Sequence, residues 1–118
     1  MYMFRSRRWI STPKTQFEHE WVDLATSTDG LPRRIVGVKM KIPPLPYGPL
    51  SAKTFDVCYT GADGKMCYGV LRAETLDRAE LQEFALPSGV DATMIRIRVF
   101  SMAAPRQTSC GIFQLALF

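Results

Sequence analysis

The chain has one histidine, His19, and three cysteines, Cys58, Cys67 and Cys110, in 118 residues. With a single imidazole and no CxxC spacing, the ligand supply for a structural zinc site is missing. An odd thiol count cannot pair completely within one chain, which favours a reducing compartment and hence a cytoplasmic, intracellular location. Cys58 and Cys67 flank a turn and can face each other across a hairpin, so three thiols and a single 58–67 pair both stand open. No apolar run approaches the roughly 18 residues of a membrane helix. The opening Met-Tyr-Met-Phe-Arg-Ser-Arg-Arg lacks the apolar core and small-residue cleavage site of an export signal. Gly-rich phosphate cradles are also absent, because the glycines at 61 and 64 are not followed by a Lys-Ser/Thr pair and a helix. His19 has no Ser, Cys or Asp pattern beside it, so no nucleophile–base pair is in view and no enzyme is expected.

What is present is ordinary globular composition: 47% hydrophobic and 22% charged residues, enough apolar surface for one core in one domain spanning 1–118. The net charge of +4 is too mild to demand a nucleic-acid partner. Arg5, Arg7 and Arg8 crowd the first eight residues and read as a basic N-terminal arm.

Period-2 alternation dominates the pattern along the chain. Residues 34–42 (RIVGVKMKI) place Val36, Val38, Met40 and Ile42 on one face. Residues 54–60 (TFDVCYT) place Phe55, Val57 and Tyr59 together, and 94–100 (MIRIRVF) place Ile95, Ile97 and Val99 inward with Arg96 and Arg98 outward. A Gly-Ala-Asp-Gly turn at 61–64 joins 54–60 to 66–72 (MCYGVLR) as a hairpin. Residues 20–25 (EWVDLA) form a short strand, and the nearly all-apolar 111–118 (GIFQLALF) reads as a central strand. Four prolines in 43–50 (PPLPYGPL) exclude a helix or an inner strand. Helix formers gather only in 73–84 (AETLDRAELQEF), where one helix, or a single turn followed by a short strand, fits. Short strands between turn signals, with at most one helix, predict an all-β antiparallel sandwich or jelly roll. Its core should hold Val36, Val38, Phe55, Val57, Ile95, Ile97, Val99 and Leu115. Trp9 and Trp21 are expected in the core as well.

The order of several short motifs resembles the discoidin, or coagulation-factor C-type, domain family. They are Trp9, Glu20-Trp21-Val22-Asp23-Leu24, Ile35-Val36-Gly37-Val38, Phe55-Asp56-Val57-Cys58-Tyr59-Thr60 with Asp63-Gly64, Ala92-Thr93-Met94-Ile95-Arg96-Ile97, and Gly111-Ile112-Phe113-Gln114-Leu115. The resemblance implies a galactose-binding-like jelly roll without catalytic activity, binding sugars, lipid headgroups or proteins through loops at one end. Three departures accompany it. The family's opening strand and calcium loop have no counterpart before Trp9. Gln114 stands where a calcium-binding Glu is common. Cys110 lacks an N-terminal partner. These departures imply an intracellular protein-interaction or scaffold module, acting through a sheet edge or face and able to form homo-oligomers. A carbohydrate or other polar small ligand is the alternative. The residues expected at either kind of contact are Arg33, Arg34, Tyr47, Arg96 and Arg98, with no cofactor and no metal.

Overall fold

A computed structural model describes residues 5–6, 9–10, 20–42, 52–65, 68–76, 80–102, 111–112 and 114–118. Ten strands appear in it: β1 (Arg5–Ser6), β2 (Trp9–Ile10), β3 (Glu20–Ala25), β4 (Arg33–Lys41), β5 (Ala52–Thr60), β6 (Tyr68–Glu74), β7 (Gln82–Ala92), β8 (Met94–Met102), β9 (Gly111–Ile112) and β10 (Gln114–Leu117). They form two four-stranded antiparallel sheets, in the orders β1-β10-β4-β7 and β3-β8-β5-β6, with a short β2–β9 pair beside them. This is the expected all-β antiparallel sandwich. Ile35, Val38, Met40, Leu115 and Leu117 from one sheet pack on Phe55, Val57, Ile95, Ile97 and Val99 from the other. Phe55 and Phe84 meet edge to face across the layers at 5.0 Å.

Alternation in β8 and β3 transfers directly into structure. β8 buries Ile95, Ile97 and Val99 and turns Arg96 and Arg98 outward. The β5–β6 hairpin closes as its turn residues require: Gly64 adopts φ 73° and its amide donates to the Gly61 carbonyl at 3.1 Å. Between β7 and β8 the chain changes sheets at Thr93. That corner is tied down by the Thr93 amide donating to the Thr60 carbonyl at 2.9 Å and the Thr26 amide donating to the Thr93 carbonyl at 3.1 Å.

Four expectations are corrected. Val36 is 43% exposed and lies outside the core, while Ile35 is fully buried. The β4–β7 register slips between Ile35 and Gly37, and both the Val36 and Gly37 amides donate to the Phe118 carbonyl. The extra residue inverts the alternation on one side of the bulge. Second, Trp21 is 52% exposed, because it shares its strand face with Asp23 while Leu24 points inward. Third, of the two readings of residues 73–84 the helix is not found among the described positions and the strand is: Ala73 and Glu74 end β6, and β7 runs from Gln82 through Leu86 and Pro87. The Gln82 side chain replaces helical hydrogen bonding by clasping Leu76, accepting from its amide and donating to its carbonyl, both at 2.7 Å. Sheet pairing outweighs intrinsic helix propensity here. Fourth, part of the basic arm is sheet: Arg5 pairs with Ala116 and Ser6 with Leu115.

Candidate functional site

The five candidate residues do not converge. Arg96 and Arg98 lie on the outer face of the β3-β8-β5-β6 sheet, each opposite a carboxylate on a neighbouring strand. The Arg96 Nε and Nη2 groups donate to Asp23 at 2.7 and 2.9 Å, and its guanidinium sits 5.1 Å from the Trp21 ring centre. Arg98 forms a second fork with Asp56, its Nε donating at 2.8 Å and its Nη2 also donating. Such planar, charge-assisted pairs use the donor geometry that a ligand carboxylate would need. The register explains them, because β8 places Arg96 opposite Asp23 and Arg98 opposite Asp56. These two arginines are knitted into their own sheet.

Arg33 and Arg34 are neighbours on β4 and therefore point to opposite faces. Arg33 turns back to Asp29, its Nη2 donating at 2.9 Å. The loop it braces is a compact polar knot. Asp29 also accepts from the Leu31 amide at 3.0 Å, Ser27 donates to the Leu31 carbonyl at 2.8 Å, and Gly30 supplies φ 75°. The Leu31 amide, the Ser27 side chain and then Arg33 hold the Asp29 carboxyl below the ordinary carboxylate range.

Arg34 faces the other way, into an open cleft of about 680 Å³ at this end of the sandwich. The cleft is bounded by the β5–β6 turn with Asp63, by Tyr59 and Val70, and by the Pro87–Asp91 part of β7. The Arg34 guanidinium lies flat over Gly89, where a Cβ would come within 2.8 Å of Nε. Its Nη1 stands 3.6 Å from the Asp91 carboxylate, too far for a hydrogen bond. Among the described residues no other group accepts from this guanidinium. Asp63 spends one oxygen on the Lys65 amide, at 3.0 Å. Donors, acceptors and an aromatic side chain therefore share one cleft, a combination suited to a small polar ligand with an apolar face.

Tyr47 lies outside the described residues, as do His19, Cys67 and Cys110. Cys58 is buried on β5 opposite Arg96, and with Cys67 outside the described residues the choice between a thiol and a 58–67 pair lies outside them too. Lys41 and Ala52, which bracket the segment holding Tyr47, lie at the end of the sandwich opposite Arg34, since Lys41 ends β4 and Ala52 opens β5. Among the described residues, no three His, Cys, Asp or Glu side chains come together to hold a metal ion, and no helix is long and apolar enough to cross a membrane. Tyr59, Asp63, Gly89 and Asp91 were not among the sequence candidates. Alternation assigned Tyr59 to the core, and only the β4–β7 register brings Arg34 opposite Asp91.

No sequence-family model matches the chain, and no curated protein sequence does. Solved structures do. CpGH89CBM32-5 from Clostridium perfringens, in complex with GalNAc-β-1,3-galactose, matches with a TM-score of 0.75 at 12% identity, over 94% of this chain and 74% of that one. The family 32 carbohydrate-binding module of Streptococcus pneumoniae EndoD matches with a TM-score of 0.70 at 19% identity, over 94% and 74%. Chitosan-binding module 1 from a Paenibacillus sp. IK-5 chitosanase/glucanase matches with a TM-score of 0.68 at 13% identity, over 94% and 75%. The fold is thus the galactose-binding-like sandwich that the motif order implied.

Proposed function

We propose that this chain is a non-catalytic carbohydrate-binding module. The observation that carries the reading is the sandwich itself. Over 94% of its length it follows structures described as carbohydrate-binding or chitosan-binding modules. The same comparison favours sugar binding over the scaffold role that the missing strand and cysteine pair suggested. The open sheet edge behind that expectation is covered, because β1 pairs with β10.

Loops at the strand ends are better placed than the sheet face to take a glycan. The outer-face arginines Arg96 and Arg98 are held by Asp23 and Asp56, whereas Arg34 keeps its donors. Sugar rings pack well against aromatic side chains, and Tyr59 lines the cleft beside Arg34. A glycan array followed by calorimetric titration tests the reading: at least one neutral, acidic or amino glycan should bind saturably. Failure of all three classes, together with stoichiometric co-purification of a protein partner from the native cell, would overturn it in favour of the assembly role.

A further inference from the structure

We infer that the cleft between β4, β7 and the β5–β6 turn binds a pair of adjacent hydroxyl groups on a sugar without a carboxylate, with Arg34 donating to one and Asp91 accepting from the other. The inference rests on the carbohydrate-binding reading and places a site for it at the Arg34 end.

The chemistry follows from what the cleft leaves unused. A hydroxyl is both donor and acceptor, so two neighbouring hydroxyls match a side-by-side donor and acceptor better than either partner alone. Arg34 and Asp91 are such a pair. They are opposite in register on adjacent strands, 3.6 Å apart, and their side chains are 62% and 70% exposed. At that distance and exposure their mutual attraction is weak, so a ligand that separates them displaces little.

The guanidinium is not loose, however. It rests against the β7 backbone because Gly89 has no side chain, and any Cβ there would meet Nε, Nη2 and Cζ at 2.8 to 3.1 Å. Gly89 acts as a positioning residue that fixes the plane of the donor fork. Across the cleft, Tyr59, Val70 and Pro87 supply the apolar surface on which the carbon face of a sugar ring can lie.

Charge sets the ligand class. Among the described residues, the titratable groups lining the cleft are Arg34, Tyr59, Asp63 and Asp91, whose charged members are one cation and two carboxylates, a local balance of −1. A uronic acid would bring its carboxylate towards two like charges, against one cation among the described residues. A neutral ring or an amino sugar carries no such penalty.

The test is an amide-resolved NMR titration of the 118-residue chain with methyl β-galactoside, methyl α-mannoside, galacturonic acid and glucosamine. At least one neutral glycoside should shift the amides of Gly61, Gly89 and Asp91 saturably. Its binding should weaken about tenfold in Asp91→Asn and in Arg34→Lys, which keeps charge but loses the fork. Gly89→Ala should weaken binding comparably, and its effect should vanish in an Arg34→Ala background, which separates positioning from a general loss of fold. Deoxygenation at either of two adjacent ring positions should abolish the shifts. Tighter binding of galacturonic acid than of the neutral glycosides and glucosamine would overturn the inference. So would glycan binding that survives Arg34→Ala and Asp91→Asn but is lost in Tyr47→Ala, an outcome that leaves the carbohydrate-binding reading intact. Absence of binding by all four sugars, and by the glycan array, removes both.

Discussion

At the residue scale, the outer-sheet arginines show how register converts a ligand-like pattern into a structural one. Arg98 and Asp56 form a forked pair in which the Asp56 side chain is only 13% exposed. Charge-assisted forks of this kind are stronger than simple surface pairs. Asp56→Asn should therefore cost about 1 kcal/mol in chemical denaturation, and much of that loss should disappear when Arg98 is already Ala. Additive losses would mean that the pair contributes nothing jointly. Asp29 gives a pH-dependent counterpart. Its carboxyl is held below the ordinary value, so the Asp29–Leu31 contact contributes stability above the unfolded pKa and loses it as pH falls through the lowered, folded one. The Leu31 amide signal should titrate at lower pH than a free aspartate. Because the Leu31 amide is the largest single cause, Arg33→Ala should recover only part of that shift.

At the scale of the element, β3, β8 and the β5–β6 turn were legible because one face of each alternating segment is buried and the turn residues tolerate positive φ. β4 was half legible. Val38 and Met40 are inside as expected, but the bulge reverses Ile35 and Val36, and nothing local to RIVGV announces where a strand will be offset. β7 was obscured by helix formers before it and by Pro87 and Gly89 within it. The cleft inherits the same limits: Arg34 is conspicuous in the sequence, whereas Asp91 and Gly89 matter only through pairing across strands. The bulge makes a direct prediction. Ile35→Ala should destabilise the fold by about 2–5 kcal/mol, while Val36→Thr should stay within about 0.5 kcal/mol. Equal costs would place the strand in the unshifted phase. Gly37 belongs to the same device. A Cβ there would approach the Phe118 ring to 2.3 Å and the Phe84 carbonyl oxygen to 2.8 Å. Gly37→Ala should cost about 1–3 kcal/mol, and Phe118→Ala should relieve it only in part, because the Phe84 backbone cannot withdraw as a ring can.

At the scale of the whole molecule, the question is how a sandwich with an apolar closing strand avoids self-association. β10 buries Leu115, Ala116 and Leu117 and pairs with β4 along one side. Left bare, its other side would present unpaired amides and carbonyls that template addition of another strand. Arg5–Ser6 pairs along that side at Ala116 and Leu115, because edge pairing draws on backbone groups and does not require an apolar side chain. A two-residue outer strand containing arginine is a poor template for further addition, since short and charged edges discourage it. The Arg5–Ser6 segment therefore has a structural use independent of any acidic partner. Removing residues 1–8 should lower the thermal midpoint and expose β10, turning the chain into a concentration-dependent dimer or larger species. Sedimentation velocity across micromolar concentrations reads this directly. Intact protein should remain at a constant sedimentation coefficient, while the truncated form should shift upwards with concentration. Arg5→Pro is the finer probe, since it removes one backbone donor from the segment that pairs with β10 without shortening the chain. It should reproduce part of the shift. A truncated chain that stays monomeric with an unchanged midpoint would show that β10 needs no cover, and that the arm contributes nothing to holding the molecule apart from its copies.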